Sequence, residues 1–196
     1  MKAALDETSP EGPKGIFYVV GSAVVIADEV TAEKDLRNVI EKPERKRPFH
    51  WSQEGPVARN RMMDCLEDLG VVAHICVHYP TGRHRLNNAR SSGIAKMIPY
   101  LLHDGVTELY IESRGFREDE RDKATILDTL NDLDSSGSLT YGWHGKGEPL
   151  LWLADAICGV VREYLLDTKD AGYFDRLQKT GVIKEPIYIN PNLRNA

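Results

Sequence analysis

Leu150 to Val161 reads LLWLADAICGVV, with Asp155 the one ionisable carboxylate in twelve residues. Pro149 just before it suits the first turn of a helix, and Glu148 suits the positive helix end. A helix apolar nearly all round is expected in a core. A carboxylate on it is costly unless it is hydrogen-bonded, paired with a cation or bound to a metal. Something must therefore face Asp155: backbone donors, the Trp143 indole, a basic side chain or a metal ion. The function turns on which.

Working outward from that helix, the rest of the chain alternates strands and helices. Leu139 to Trp143 reads as the strand before it, preceded by a turn at Ser135 to Gly137. Glu118 to Leu133 is a charged helix with apolar positions at Ala124, Ile126, Leu127, Leu130 and Leu133. Val106 to Glu112 reads as a strand, and Leu86 to His103 as a helix with Pro99 expected to kink or break it. A turn at Pro80 to Gly82 separates that helix from the strand Val71 to Tyr79. Pro56 to Leu69 is a helix closed by Gly70, and Lys42 to Gly55 is irregular, containing Phe49-His50-Trp51. Thr31 caps a helix to about Glu41. The β-branched and aromatic run Ile16 to Ile26 is a strand in which Gly21 marks a bulge. Thr8 to Gly15 is a loop, and Ala3 to Glu7 opens the chain as a short strand. Mixed strands and helices of this kind indicate a layered α/β domain. It is expected to have a mixed central sheet of about five strands flanked by helices. Residues 1–166 form the domain. Residues 167–196, with Gly172-Tyr173-Phe174 and Ile187-Tyr188-Ile189, form a tail that packs on the core or makes a homodimer contact.

Composition limits the function classes. The 196 residues carry a net charge of −5, 41% hydrophobic and 28% charged residues, ordinary values for a globular protein. No stretch approaches the roughly 20 apolar residues that span a bilayer, and MKAALDETSP lacks the apolar core of a signal peptide. Cys65, Cys76 and Cys158 have no paired spacing and read as reduced thiols of a cytoplasmic protein. The acidic balance gives no global pull toward nucleic acid. Two local basic stretches, Lys42 to Arg47 and Arg83, His84, Arg85 with Arg90, read as solvated surface.

Three acidic positions stand out: Asp6-Glu7 at the end of the first strand, Glu112 at the end of the fourth, and Asp155. Strand-end carboxylates of adjacent strands can meet a helix carboxylate packed across the sheet. Clustered carboxylates repel, so they share protons or hold cations. Oxygen-only ligands favour Mg²⁺ or Mn²⁺ over zinc, and two such ions about 4 Å apart can clamp both oxygens of a phosphodiester displacement.

The strand order, the carboxylate placement and the LLWLADAICGVV helix resemble the RNase H-like superfamily, and more closely its domain-of-unknown-function family 3800. That family opens with an Asp-Glu-Ser-Gly strand end and closes with a helix carrying Leu-Ala-Asp followed by small residues. Here the first motif reads Asp6-Glu7-Thr8-Ser9 and the second Leu153-Ala154-Asp155-Ala156-Ile157-Cys158-Gly159. The resemblance covers about residues 2 to 166. It implies a metal-dependent phosphodiesterase or nuclease, with Asp6, Glu112 and Asp155 as catalytic metal ligands for Mg²⁺ or Mn²⁺ and Glu7 as a fourth. The substrate is then a nucleic acid or nucleotide. Thr8-Ser9 departs from the family's Ser-Gly, and Glu112 stands where Asp is more usual.

Other residues suggest substrate contacts, each with a plainer alternative. His144 and Lys146, in the loop before the Asp155 helix, either reach a scissile phosphate or sit in a glycine-rich turn. His50-Trp51 either stacks on a base or sugar or belongs to the core. Arg114 and Arg117 either fork onto phosphate or pair with Glu118 and Asp119, and either could instead engage Glu112. His74, Cys76 and His78 alternate along one strand face and offer a zinc set, but their positions diverge by about 7 Å per step. The rival to an enzyme is a binding or interaction module that keeps the fold, its acids held by Arg and Lys.

Overall fold

In the computed structural model, residues 1–9, 11–12, 15–26, 34, 36–37, 47–79, 86–168 and 172–189 are described below. Six strands form one mixed sheet in the order β7-β6-β1-β4-β5-β8. They are β1 (Lys2–Thr8), β4 (Tyr18–Val25), β5 (Val72–His78), β6 (Glu108–Glu112), β7 (Thr140–His144) and β8 (Ile187–Ile189). The two-residue strands β2 (Glu11–Gly12) and β3 (Gly15–Ile16) pair separately as a small hairpin. β4 runs antiparallel to both β1 and β5, while β6 runs parallel to β1 and β7 parallel to β6. A mixed central sheet flanked by helices is the α/β architecture that the sequence predicts.

Period-two alternation of side chains sorts the sheet into two faces. Ala4, Val19, Ala23, Ile75 and Val77 face the helix α4 (Pro149–Leu165). Ala3, Leu5, Val20, Val24, Leu109 and Ile111 face α2 (Leu86–His103) and α3 (Phe116–Asp132). α4 is apolar nearly all round because it is buried nearly all round, between the sheet, α1 (Pro56–Asp68) and α5 (Gly172–Lys179). Two glycines let helices approach the sheet. A Cβ on Gly21 would meet Cys158 Sγ at 2.7 Å, and one on Gly93 would meet Val20 Cγ2 at 2.4 Å.

Several expectations change. Gly21 is in unbroken register between Asp6 and Ile75, not in a bulge; its reason is the approach of Cys158. Pro99 neither breaks nor ends α2, which runs through it to His103; only the last turn lies beyond it. Leu127 of α3 and Leu133 at its C-cap are exposed, and Asp122 shares the buried face with Ile126 and Leu130. Arg90 is buried, not solvated. The tail contributes α5 and a sixth strand, because Ile187–Ile189 pairs parallel to Cys76–His78. Of the helix expected over Thr31 to Glu41, residues Lys34, Leu36 and Arg37 are described and helical. The turn Pro80 to Gly82, the basic residues 42–46 and Arg83, His84 and Arg85 lie outside the described residues.

Candidate functional site

β1 and β6 pair in parallel with Leu5 opposite Ile111. One step further along, Asp6 and Glu112 lie side by side on the α4 face. Asp155 projects from α4 toward them. Asp6 is 5% exposed. Burial drives its pKa well above the usual carboxylate range, and the charges of Glu112 and Asp155 push it further up, with a hydrogen bond to Glu112. Asp6 thus has both Glu112 and Asp155 near enough for their charges to raise its pKa.

The partner of Asp155 is a segment a hundred residues away. His50 Nδ1 lies 2.8 Å from Oδ1, and the Trp51 amide donates to Oδ2 at 2.6 Å. That hydrogen bond to Asp155 raises the His50 pKa. The indole of Trp51 is in the core, 5.3 Å from the Tyr173 ring and edge-on to it. It fits because residue 159 is glycine. Arg59 holds the segment from above: its Nε donates to the Trp51 carbonyl at 3.2 Å, its guanidinium lies 4.8 Å from the indole, and its Nη1 is 3.1 Å from Glu163 of α4. Trp143, the alternative partner for Asp155, faces the opposite side of the sheet.

Glu112 carries Lys146 at 3.3 Å, not Arg114 or Arg117. The loop of Lys146 is fixed by Trp152 Nε1, which donates to the Lys146 carbonyl at 2.8 Å, and by Glu148, which caps α4 through the Leu150 amide. His144 stacks on Tyr110 at 4.5 Å, on the same face as Glu112. The thiol of Cys158 donates to the Asp6 carbonyl at 3.3 Å; burial and the neighbouring acids hold its pKa high, so it stays a thiol.

Alternation along β1 sends Glu7 to the other face, so it does not join Asp6. There Arg90 contacts it directly and Arg114 Nη1 lies 3.1 Å away. Arg90 also donates to Asp122 at 2.8 Å and to the Glu112 carbonyl at 3.3 Å. Arg114 donates to the Tyr18 hydroxyl at 3.3 Å. Glu7 is thus paired with two guanidinium groups, apart from the three acids. Arg90, Asp122, Tyr18, Arg59 and Glu163 had no motif to reveal them. A lone Arg on an otherwise apolar helix face was the available signal for Arg90.

No family model matches this chain, and no curated protein matches it. Among solved structures, it is similar to a chain in the structure of the PCNA:RNase HII complex from Archaeoglobus fulgidus. The identity is 16%, the TM-score 0.46, and the match covers 92% of this chain and 77% of that one.

The donor chemistry of Asp6, Glu112 and Asp155 fits a hard divalent cation: oxygens only, and mutual repulsion that a cation would relieve. Their present rotamers do not converge on one point. Among the described residues no three His, Cys, Asp or Glu side chains are grouped to hold an ion, because Glu112 turns to Lys146 and Asp155 to His50. His74, Cys76 and His78 are not gathered either; His74 is taken by Asp104 at 2.6 Å and Cys76 is buried. No described helix is long and apolar enough to cross a membrane.

Proposed function

We propose that the chain is a metal-dependent phosphodiester hydrolase of nuclease type, with Asp6, Glu112 and Asp155 as the ligands of Mg²⁺ or Mn²⁺. The observation that carries this reading is Asp6, a carboxyl whose pKa is raised first by burial and then by the charges of Glu112 and Asp155 beside it. Such a cluster is costly for stability alone and suits a group that exchanges a proton for a cation. The paired motifs at Asp6-Glu7 and Leu153-Ala154-Asp155, which resemble domain-of-unknown-function family 3800, support the same assignment. A divalent cation would neutralise the developing charge on the phosphoryl oxygens and activate a water.

The chain's own groups supply the rest. The Trp51 amide and His50 fix the orientation of Asp155. Lys146 sits 3.3 Å from Glu112. On release from that acid it is placed to meet the phosphate of a bound nucleotide strand. His50, whose pKa the hydrogen bond to Asp155 raises, is a donor within reach of the same place when it is protonated.

A second reading has a specific observation in its favour: Asp155 and Glu112 already have partners within the chain, the His50 ring and the Lys146 ammonium. On that reading the fold is a binding or interaction module. Thermal shift with Mn²⁺ and Mg²⁺ separates the two. The hydrolase reading requires a rise in Tm at millimolar cation that Asp155→Asn abolishes; binding at 100 times Kd stabilises by about 2.7 kcal/mol. No rise in the unaltered chain, together with no cleavage of single- or double-stranded DNA or RNA, leaves the module.

A further inference from the structure

On the opposite face of β1 from the acids, at the same end of the sheet, a cavity of about 240 Å³ opens to the surface. Its described lining is Ser9, Tyr18, Arg90, Ser91, Arg114 and Arg121, with Glu118 and Asp122. Most of these groups are hydrogen-bond donors. Arg90 and Tyr18 are each only 5% exposed, so the inner wall is a guanidinium and a phenol held in place. The Tyr18 hydroxyl accepts from Arg114, and none of the described residues accepts its proton. Arg121, on the exposed side of α3, makes no ion pair among the described residues. Arg114 shares the single carboxylate of Glu7 with Arg90 and is 46% exposed at its side chain. Asp122 is already occupied by Arg90.

A cavity lined with more donors than acceptors is completed by an acceptor-only group. Guanidinium forks match the tetrahedral oxygens of phosphate, and a volume of this size holds a phosphate with part of its ester. Glu118 opposes an anion from the cavity lining, which makes it a natural control. We propose that this cavity is a phosphate-binding site, built by Arg114, Arg121 and the Tyr18 hydroxyl, which seats a phosphate group of the substrate strand while the acids act on another. The proposal rests on the hydrolase reading for the identity of the strand, but the site itself does not depend on cleavage.

The test is run on the full chain in EDTA, so that neither turnover nor a metal bridge contributes. Anisotropy of a labelled single-stranded oligonucleotide follows strand binding, and inorganic phosphate is titrated separately by calorimetry. Arg121→Gln, which is exposed, is expected to weaken strand binding about tenfold, the value of one charge-assisted hydrogen bond. Tyr18→Phe keeps the ring and removes the hydroxyl, both its own donor and the acceptor that holds Arg114, and is expected to weaken binding about threefold to tenfold. Glu118→Gln is expected to tighten it. The same order for inorganic phosphate with no effect on the oligonucleotide supports the site and assigns it to a small phosphorylated ligand. Unchanged affinity for both probes in Arg121→Gln and Tyr18→Phe overturns the proposal. Failure of the hydrolase reading looks different: the chain binds the strand in EDTA with these variant effects and cleaves nothing when Mn²⁺ is added.

Discussion

Trp51 occupies the space that a side chain at Gly159 would need: a Cβ there would lie 2.2 Å from Trp51 Cδ1 and 2.3 Å from Cγ. The short turn that carries Trp51 (Trp51–Gln53) is thereby pressed onto α4 one helical turn beyond Asp155. The indole in that notch aims the Trp51 amide at the Asp155 carboxylate. Packing in the core and orientation of a buried acid are one feature.

Gly159→Ala should therefore destabilise the protein even though alanine is the better helix former by about 1 kcal/mol. Overpacking of this kind costs about 1–3 kcal/mol, and the clash falls on a ring and a Cβ that cannot swing aside. Urea unfolding should show the loss, and a backbone amide spectrum should show the Trp51 resonance moved. An equal or higher midpoint would mean that Trp51 has another place to go.

Asp6→Asn should do the opposite. Asp6 is raised above its unfolded pKa, so the folded state binds its proton more tightly. Stability from this group is fully present below the unfolded value, about 3.9, and is lost as pH climbs toward the raised folded value. Removing the charge removes that loss. At pH 7.5 the variant should gain a few degrees in Tm, with the gain shrinking toward pH 4, and any response to Mn²⁺ should disappear. A lower Tm at pH 7.5 would show that the carboxylate is stabilising as it stands.

His50 carries a pH signature of the same sign, but from a group whose charged form is the stabilising one. Its folded pKa is raised by Asp155, so its contribution is complete below the unfolded value, about 6.5, and fades as pH rises through the folded one. Comparing His50→Gln with the unaltered chain from pH 5.5 to 9, the difference in Tm should be largest at the acid end and small at the alkaline end. A constant difference would assign the effect to packing alone. Because His50 is more than a third exposed, solvent screening keeps this a small effect.

The sequence showed the elements well because each had a local cause. Periodicity and caps placed α2 and α4 closely, and strand ends at Glu7 and Glu112 fell within a residue or two of their positions in the sheet. Asp155 announced itself as a charge in an apolar run. Its partners did not, since a backbone amide at Trp51 has no residue-type signature and His50 lies in an irregular segment. Glu7 illustrates the other limit. Adjacent in sequence to Asp6, it is on the opposite face of the same strand, and period-two alternation alone separates them. Arg90 and Asp122, 32 residues apart, form a buried pair that neither helix's pattern discloses.

That pair should be visible in stability. Arg90 neutralises both Asp122 and Glu7 while nearly excluded from solvent. Arg90→Met removes one guanidinium, leaves Asp122 buried without a cation and leaves Glu7 to Arg114 alone, a change that costs about 3–5 kcal/mol. Combining it with Asp122→Leu should recover much of that loss, since replacing a whole buried pair by apolar groups is close to neutral. Chemical denaturation of the single and double variants gives the coupling directly. Additive losses would show that the two residues do not act as a pair.

Arg59 and Glu163 make a comparable pair on the other face, but with a different consequence. Glu163 Oε2 is buried with no hydrogen-bond partner among the described residues, an arrangement poor for stability. What the pair accomplishes is to hold Arg59 over the Trp51 ring and onto the Trp51 carbonyl, so that the amide on the other side of that residue meets Asp155. Arg59→Lys can keep a charge near Glu163 but cannot also bond the carbonyl and cover the indole with a flat fork. It should therefore weaken any Mn²⁺-induced rise in Tm by more than its own loss of stability accounts for. Arg176→Ala is the matched control. It breaks the pairs of α5 with Asp64 and Glu67 at 2.6 and 2.8 Å and should lower Tm while leaving the Mn²⁺ response intact. If both variants scale the response equally with lost stability, Arg59 supports the fold in general and not the acid it stands behind.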